Sequence, residues 1–328
     1  MNQLYPALEP YAIHSLQVGQ NHFVHVEACG NPAGLPVLFL HGGPGSGCNP
    51  QHRRYFDPER YHILLFDQRG AGRSHPLGLC DDNKTSDLIA DMEMIRTELK
   101  INQWLLFGGS WGATLALLYA QQYPQWVCGM ILRGSFLARE EDLEWFFIGL
   151  RRLFPEQWER FTRDIENRLQ LSSLIEWFYQ ALRSADKAIV LDAAQRWSDW
   201  GDTVVTWHHP NEERESVPED LGAQALEVQQ ARLLAKVEIE THYARQRYFI
   251  EENAILDHAE RLHGMPVSIV QGRFDLVCPM QGAWQLHRAL PGSCLVEVPQ
   301  AGHLISDPAM GIALLRETNR FRELLQRG

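Results

Sequence analysis

The pentapeptide Gly108-Gly109-Ser110-Trp111-Gly112 stands between a short apolar run, WLLFGG at 104–109, and an apolar helical pattern, ATLALLYAQQY at 113–123. A serine at a strand-to-helix turn, with a glycine two residues away on either side, predicts a strained elbow. The glycines let strand and helix pass without side-chain collision, and the helix N-terminus then lies beneath the serine. Such a turn needs a strand fixed in a sheet on one side and a helix packed back on it on the other, which commits the chain to an α/β fold.

The flanking sequence keeps that rhythm. YAIHSLQV and NHFVHVEAC predict an antiparallel hairpin turning near Gly19-Gln20. PVLFLHGG and YHILLFDQRG are continuous apolar runs suited to strands buried on both faces, and a helical stretch from about 86 to 99 leads into WLLFGG. From 138 to 255 the pattern changes to aromatic and charged residues at helical spacing (EEDLEWFFIGLRRLF, SLIEWFYQALR, AAQRWSDW, ARLLAKVEIETHYARQRYF), which predicts a helical cap inserted into the core. Strand and helix signals then resume in MPVSIVQG, MQGAWQLHRAL and SCLVEVP, and a helix from 308 to 325 closes the chain. The expected organisation is a mostly parallel sheet built from 1–137 and 256–328, interrupted by a cap at 138–255.

Composition narrows the function. With 45% hydrophobic and 22% charged residues, the 328-residue chain can bury a large core. Its net charge of -11 disfavours nucleic acid and anionic membranes as partners. The N-terminus lacks a basic stretch followed by an apolar run, and no apolar segment is long enough to span a bilayer, so a cytoplasmic location is expected. Six cysteines without a C-x-x-C pair predict free thiols, with no structural metal and no disulfide framework. No feature specifies an oligomer.

A serine hydroxyl is a weak nucleophile at neutral pH. It needs a histidine base, and the base needs a carboxylate to set its tautomer. Behind the elbow the required order is serine, acid, histidine. Asp275 follows the strand MPVSIVQG and His303 follows CLVEVP, so both side chains are expected at the carboxyl edge of the sheet beside Ser110. The backbone N–H of Trp111, at the helix start, is one expected oxyanion donor, and Gly43 in His41-Gly42-Gly43-Pro44-Gly45, directly after VLFL, is the other. His41 is expected to brace its loop, and Asp67-Gln68-Arg69-Gly70-Ala71-Gly72-Arg73-Ser74 to support the site through hydrogen bonds. His208-His209 has no carboxylate at metal-ligand spacing and is expected on the surface or in the cap.

With these residues in place the chain resembles the proline iminopeptidases of the α/β-hydrolase superfamily over almost its whole length. The likeness rests on HGGPGSG at 41–47, DQRGAGRS at 67–74, GGSWGATLALLYAQQYP at 108–124, LRGSF at 132–136, WFF at 145–147, EIETHY at 238–243, GRFDLVCP at 272–279 and AGH at 301–303. The resemblance implies release of N-terminal proline from short peptides or aminoacyl amides by acylation of Ser110, with His303 as general base oriented by Asp275 and with no cofactor. It also implies a proline-ring pocket from Phe136, Phe146 and Phe147, with Cys278 close by, and amine binding by Glu240. Two departures stand out. The family usually has Trp-Glu where this chain has Trp200-Gly201, so one amine-binding carboxylate is missing although Asp202 lies one residue on, and a phenylalanine where this chain has Ala244, which is expected to enlarge or loosen the ring pocket. An esterase, amidase or thioesterase on the same residues, or a ligand receptor on a hydrolase scaffold, are the competing readings.

Overall fold

The computed structural model describes residues 4–208 and 223–326. Eight strands form one sheet: β1 (Ala12–Val18), β2 (His22–Gly30), β3 (Leu35–Leu40), β4 (Tyr61–Asp67), β5 (Trp104–Gly109), β6 (Val127–Arg133), β7 (Val267–Gly272) and β8 (Cys294–Val298). Their order is β1-β2-β4-β3-β5-β6-β7-β8. The pairs β1–β2 and β2–β4 are antiparallel, and from β4 to β8 every pairing is parallel. The hairpin and five of the six parallel strands are those anticipated from sequence. The sixth, β6, was not, because Gly129 interrupts its apolar run VCGMILR.

Strand burial follows position in the sheet. Every residue of β5 and β7 is buried, whereas β1 at one edge alternates exposed and half-buried residues. Successive β5 residues feed opposite cores: Trp104 and Leu106 join one hydrophobic cluster, Leu105 and Phe107 the other. The same division separates Leu38 and Leu40 from Val37 and Phe39 in β3, so the sheet is covered on both faces.

Ten α-helices accompany the sheet among the described residues. α1 (Thr85–Glu98) and α2 (Trp111–Gln122) precede β6. Between β6 and β7 lie α3 (Glu140–Phe147), α4 (Pro155–Phe161), α5 (Leu171–Ala181), α6 (Lys187–Val205), α7 (Ala223–Arg245) and α8 (Ala254–Asp257), and among the described residues this stretch adds no strand. α9 (Met280–Ala289) and α10 (Pro308–Gln326) complete the chain. Aromatic stacking holds the intervening helices together: Phe161 of α4 stacks on Phe178 of α5 at 4.8 Å and on Trp200 of α6 at 5.3 Å. No described helix is long and apolar enough to cross a membrane. All six cysteines are unpaired.

The topology decides where a site can form. β4 lies on one side of β3 and β5 on the other, so the chain changes direction across β3, and a crevice opens at the carboxyl ends of β3 and β5. Leu40 pairs with Gly108 there, which brings the HGG segment beside the elbow.

Candidate active site

Ser110 ends β5 and caps α2 with φ 55° and ψ -124°, a conformation L-residues rarely adopt. Its amide donates to the Arg133 carbonyl oxygen at 2.9 Å, which clamps the turn to β6. A β-carbon on Gly108 would collide with the Gly112 carbonyl, and one on Gly112 with the Leu40 carbonyl. The two flanking glycines are therefore required by the crossing of β3, β5 and α2. A β-carbon on Gly42 would meet the Ser110 Cβ at 3.3 Å, so the loop after β3 touches the serine. Trp111 is the first residue of α2, and its N–H and that of Gly43 have no protein acceptor among the described residues.

Asp275 and His303 follow β7 and β8, and the His303 Nδ1–Asp275 Oδ2 distance is 2.8 Å. A carboxylate oxygen only accepts, so Nδ1 carries the proton and Nε2 is left as the acceptor. The other oxygen of Asp275 accepts from the amides of Val277 (2.9 Å) and Cys278 (2.8 Å), and Gln271 Nε2 lies 3.3 Å from Oδ2. The carboxylate is thus fully buried yet saturated with donors, which fixes its orientation behind the imidazole.

Ser110 and His303 line one cavity of about 450 Å³, together with Gly43, Phe136, Phe146, Phe147, Asp202, Glu240 and Cys278. Every residue expected from sequence as catalytic, oxyanion-forming or substrate-binding lines this cavity except two. Asp275 stands behind His303, and Trp111 lies beneath the elbow with its indole fully buried. Phe146 and Phe147 meet edge to face at 4.9 Å, and Phe136 packs on Tyr248 at 5.0 Å. The Cys278 thiol contacts the Ser110 side chain, but burial, with the charges of Asp275 and Asp142, pushes it well above the usual thiol range and keeps it protonated.

Glu240 accepts from Trp197 Nε1 at 2.9 Å and lies 3.7 Å from Lys236 Nζ, one helical turn away on α7. Burial raises the Glu240 carboxyl, the Lys236 charge and the Trp197 hydrogen bond oppose that, and the Asp202 charge adds to it. The same two carboxylates raise Lys236, with Glu240 the larger influence. Lys236, Trp197 and Tyr248 all line the cavity and were not anticipated. Only the i, i+4 spacing of Lys236 and Glu240 could have signalled the first.

Several expectations change. Ala244 is buried in the core and is not among the cavity-lining residues, so it does not widen the ring pocket directly. Gly201 does line the cavity, and a β-carbon there would meet nothing within 4 Å. His208 falls within the expected cap stretch, and its side chain is buried there: it packs against Gly302 and lies 3.5 Å from Asp307, bracing the loop that carries His303. His209 lies outside the described residues. Arg133 is a buried guanidinium bonded to the His303 carbonyl oxygen, and burial lowers its pKa. In the DQRGAGRS segment, Asp67 accepts from Cys48 N at 2.6 Å and from Arg73 N at 3.0 Å, tying the turn after β4 to the loop after β3. Among the described residues no group of three or more His, Cys, Asp or Glu could hold a metal ion.

The sheet order, the elbow and the buried acid–histidine pair define a serine hydrolase of the α/β-hydrolase class, and the α/β-hydrolase fold family matches residues 36–309. A proline iminopeptidase from Xylella fastidiosa is 43% identical over 98% of this chain and 100% of its own length. Another from Arabidopsis thaliana is 40% identical over 98% of this chain and 83% of its own. The chain belongs to the proline iminopeptidase family. Among solved structures, a proline iminopeptidase-related protein from Thermus thermophilus superposes with a TM-score of 0.56 at 20% identity, covering 96% of this chain and 97% of its own. An esterase from Rhodococcus gives 0.58 at 16% identity, covering 95% and 98%. At such identities these two speak for the fold alone.

Proposed function

We propose that this chain is a serine aminopeptidase that releases an N-terminal proline, or a similar small residue, from short peptides and aminoacyl amides. His303 Nε2 takes the proton of Ser110 Oγ as the oxygen bonds to the carbonyl carbon of the first residue. The carbonyl oxygen becomes an oxyanion and receives the N–H groups of Gly43 and Trp111. His303 then returns the proton to the amide nitrogen, the C–N bond breaks, and the rest of the peptide leaves. Water repeats the sequence on the acyl-enzyme, with His303 accepting its proton, and free proline departs. Asp275 holds the imidazole and stabilises its charged form.

A protonated secondary amine cannot be buried without a partner, and Glu240 with Asp202 offers carboxylates in the wall of the same cavity. Phe136, Phe146 and Phe147 supply an apolar wall for the ring, and 138–255 acts as a cap that admits only a chain terminus. The observation that carries this reading is the joint presence, in one cavity, of a nucleophile–histidine pair, an aromatic wall and carboxylates. Free cysteines and the lack of any described membrane-spanning helix support a cytoplasmic setting. Gly201, which leaves room where the family carries glutamate, favours an ester or amide hydrolase as the second reading.

The test is turnover of proline anilide against other aminoacyl anilides and simple esters. Ser110-dependent cleavage of the proline anilide is expected to dominate. Ester turnover with every free-amine anilide untouched would overturn the peptidase assignment.

A further inference from the structure

Gln68 stands one residue past β4 and is 2% exposed. A buried primary amide is costly unless its groups find partners. Its side-chain Nε2 donates to the His41 carbonyl oxygen at 3.0 Å, and its Oε1 accepts from the indole Nε1 of Trp111 at 2.9 Å. Its backbone N–H donates to the His41 ring Nε2 at 3.0 Å.

The ring of His41 fits this role. Burial lowers its pKa, against the opposing charge of Asp67, so the imidazole is neutral. Nδ1 lies 2.9 Å from the Gly42 carbonyl oxygen, which can only accept, so Nδ1 carries the proton and Nε2 is free to accept from Gln68. Gly42 O, the His41 ring, Gln68 and the Trp111 indole thus form one continuous buried set of bonds. At one end is the residue before Gly43, and at the other is Trp111, the two segments that bear the amides aimed at the oxyanion.

Electrostatic stabilisation of a developing negative charge depends on donors fixed before the charge appears, and small misplacements are expensive. We infer that Gln68 is the positioning residue of the oxyanion hole, locking the spacing between the Gly43 and Trp111 amides from behind. Gln68 does not line the cavity, so it acts through those two segments and not on substrate. This rests on Ser110 being the nucleophile, but not on proline being the substrate.

Gln68→Met keeps the shape and removes both side-chain bonds, and Trp111→Phe removes the indole donor together with part of the ring that packs on Tyr243 and Tyr248. The readouts are kcat and KM, affinity for the boronic acid analogue of proline, which forms a tetrahedral adduct on a serine hydroxyl, and affinity for free proline. Loss of a single oxyanion donor costs about 10²–10³ in kcat, so misaligning two is expected to cost Gln68→Met about 10- to 100-fold, and Trp111→Phe less. KM and proline affinity stay within about threefold, while boronate affinity falls in step with kcat. Unchanged kcat and boronate affinity in Gln68→Met would overturn the inference, as would equal losses for boronate and proline, which signal general damage to the site. If Gln68→Met does not fold, Trp111→Phe carries the same comparison. Should wild type cleave only esters, the peptidase reading falls and the same ratios are taken with an ester and phenylboronic acid.

Discussion

Gly134 is packed against His303 so closely that a β-carbon on it would come within 3.1 Å of the imidazole Nδ1 and 3.0 Å of the Asp275 carboxylate. Its φ of +52° adds a second demand for glycine. Gly134→Ala is therefore expected to lose about 1–2 kcal/mol of stability from backbone strain and to spread the acid–histidine pair. Turnover should fall at least tenfold with little change in KM. Thermal unfolding and steady-state kinetics test this, and an unaltered kcat would show that the pair tolerates the intrusion.

Ser110→Ala removes the nucleophile and nothing that packs the core. Nucleophile and base act as a unit, so turnover is expected to fall by about 10⁴-fold or more. Circular dichroism and proline binding should match the wild type. Residual activity within tenfold of wild type would assign the chemistry to another group.

Glu240→Gln keeps the size of the side chain but loses its charge. KM for proline anilide is expected to rise about tenfold, corresponding to about 1.4 kcal/mol, with kcat and ester turnover little changed. Burial raises the Glu240 carboxyl above its ordinary value, so the carboxylate is lost earlier than usual as pH falls. The wild-type KM should accordingly climb on acidification while the variant's stays flatter. Parallel profiles would remove Glu240 from amine recognition.

Gly201→Glu places a carboxylate where a β-carbon has open space in the cavity wall. The expected result is a lower KM for substrates with a free N-terminal proline. Helix α6 should also gain about 0.5–1 kcal/mol from replacing glycine. A higher Tm with unchanged KM would mean that the new side chain turns away from the substrate.

Beneath the loop after β3, Glu27 accepts from Arg53 Nη2 at 2.8 Å and also pairs with Arg73. Burial would raise its carboxyl, but the nearby His25 ring at 3.6 Å, the hydrogen bonds from Arg53 and the charges of Arg73 and Arg53 outweigh it and hold the pKa at about 2, below the ordinary 4.5. A depressed folded-state pKa adds stability that is present above about 4.5 and lost as pH falls toward about 2. Denaturant unfolding across that window should show wild type losing roughly 2 kcal/mol, after allowance for screening. Glu27→Gln should lack this component, and equal pH slopes for both proteins would sink the assignment.

The legible part of this fold was local. An apolar run, a glycine pair and a helical pattern around Ser110 suffice to set a strand, a turn and a helix, and chain order then points to Asp275 and His303. What sequence could not show depends on how α6 and α7 meet over the sheet. Trp197 reaches Glu240 from a separate helix, and Tyr248 follows a turn in which its own φ is positive at 56°, so neither periodicity nor propensity directs it to the cavity. The burial of Ala244 in the core, away from the cavity wall, has the same origin. Its neighbour Tyr243 faces Trp111 at 5.2 Å, and which side of α7 meets the cavity is decided by that packing.

The register that pairs Leu40 with Gly108 places nucleophile and oxyanion loop on hydrogen-bonded neighbours, whereas Glu240, Asp202 and the phenylalanines hang from separately packed elements. Bond-breaking machinery and ligand choice therefore rest on different mechanical foundations. Substitutions in the overlying helices can drift toward new acyl groups without disturbing the reaction, while one residue of slippage between those two strands would abolish it for every substrate at once.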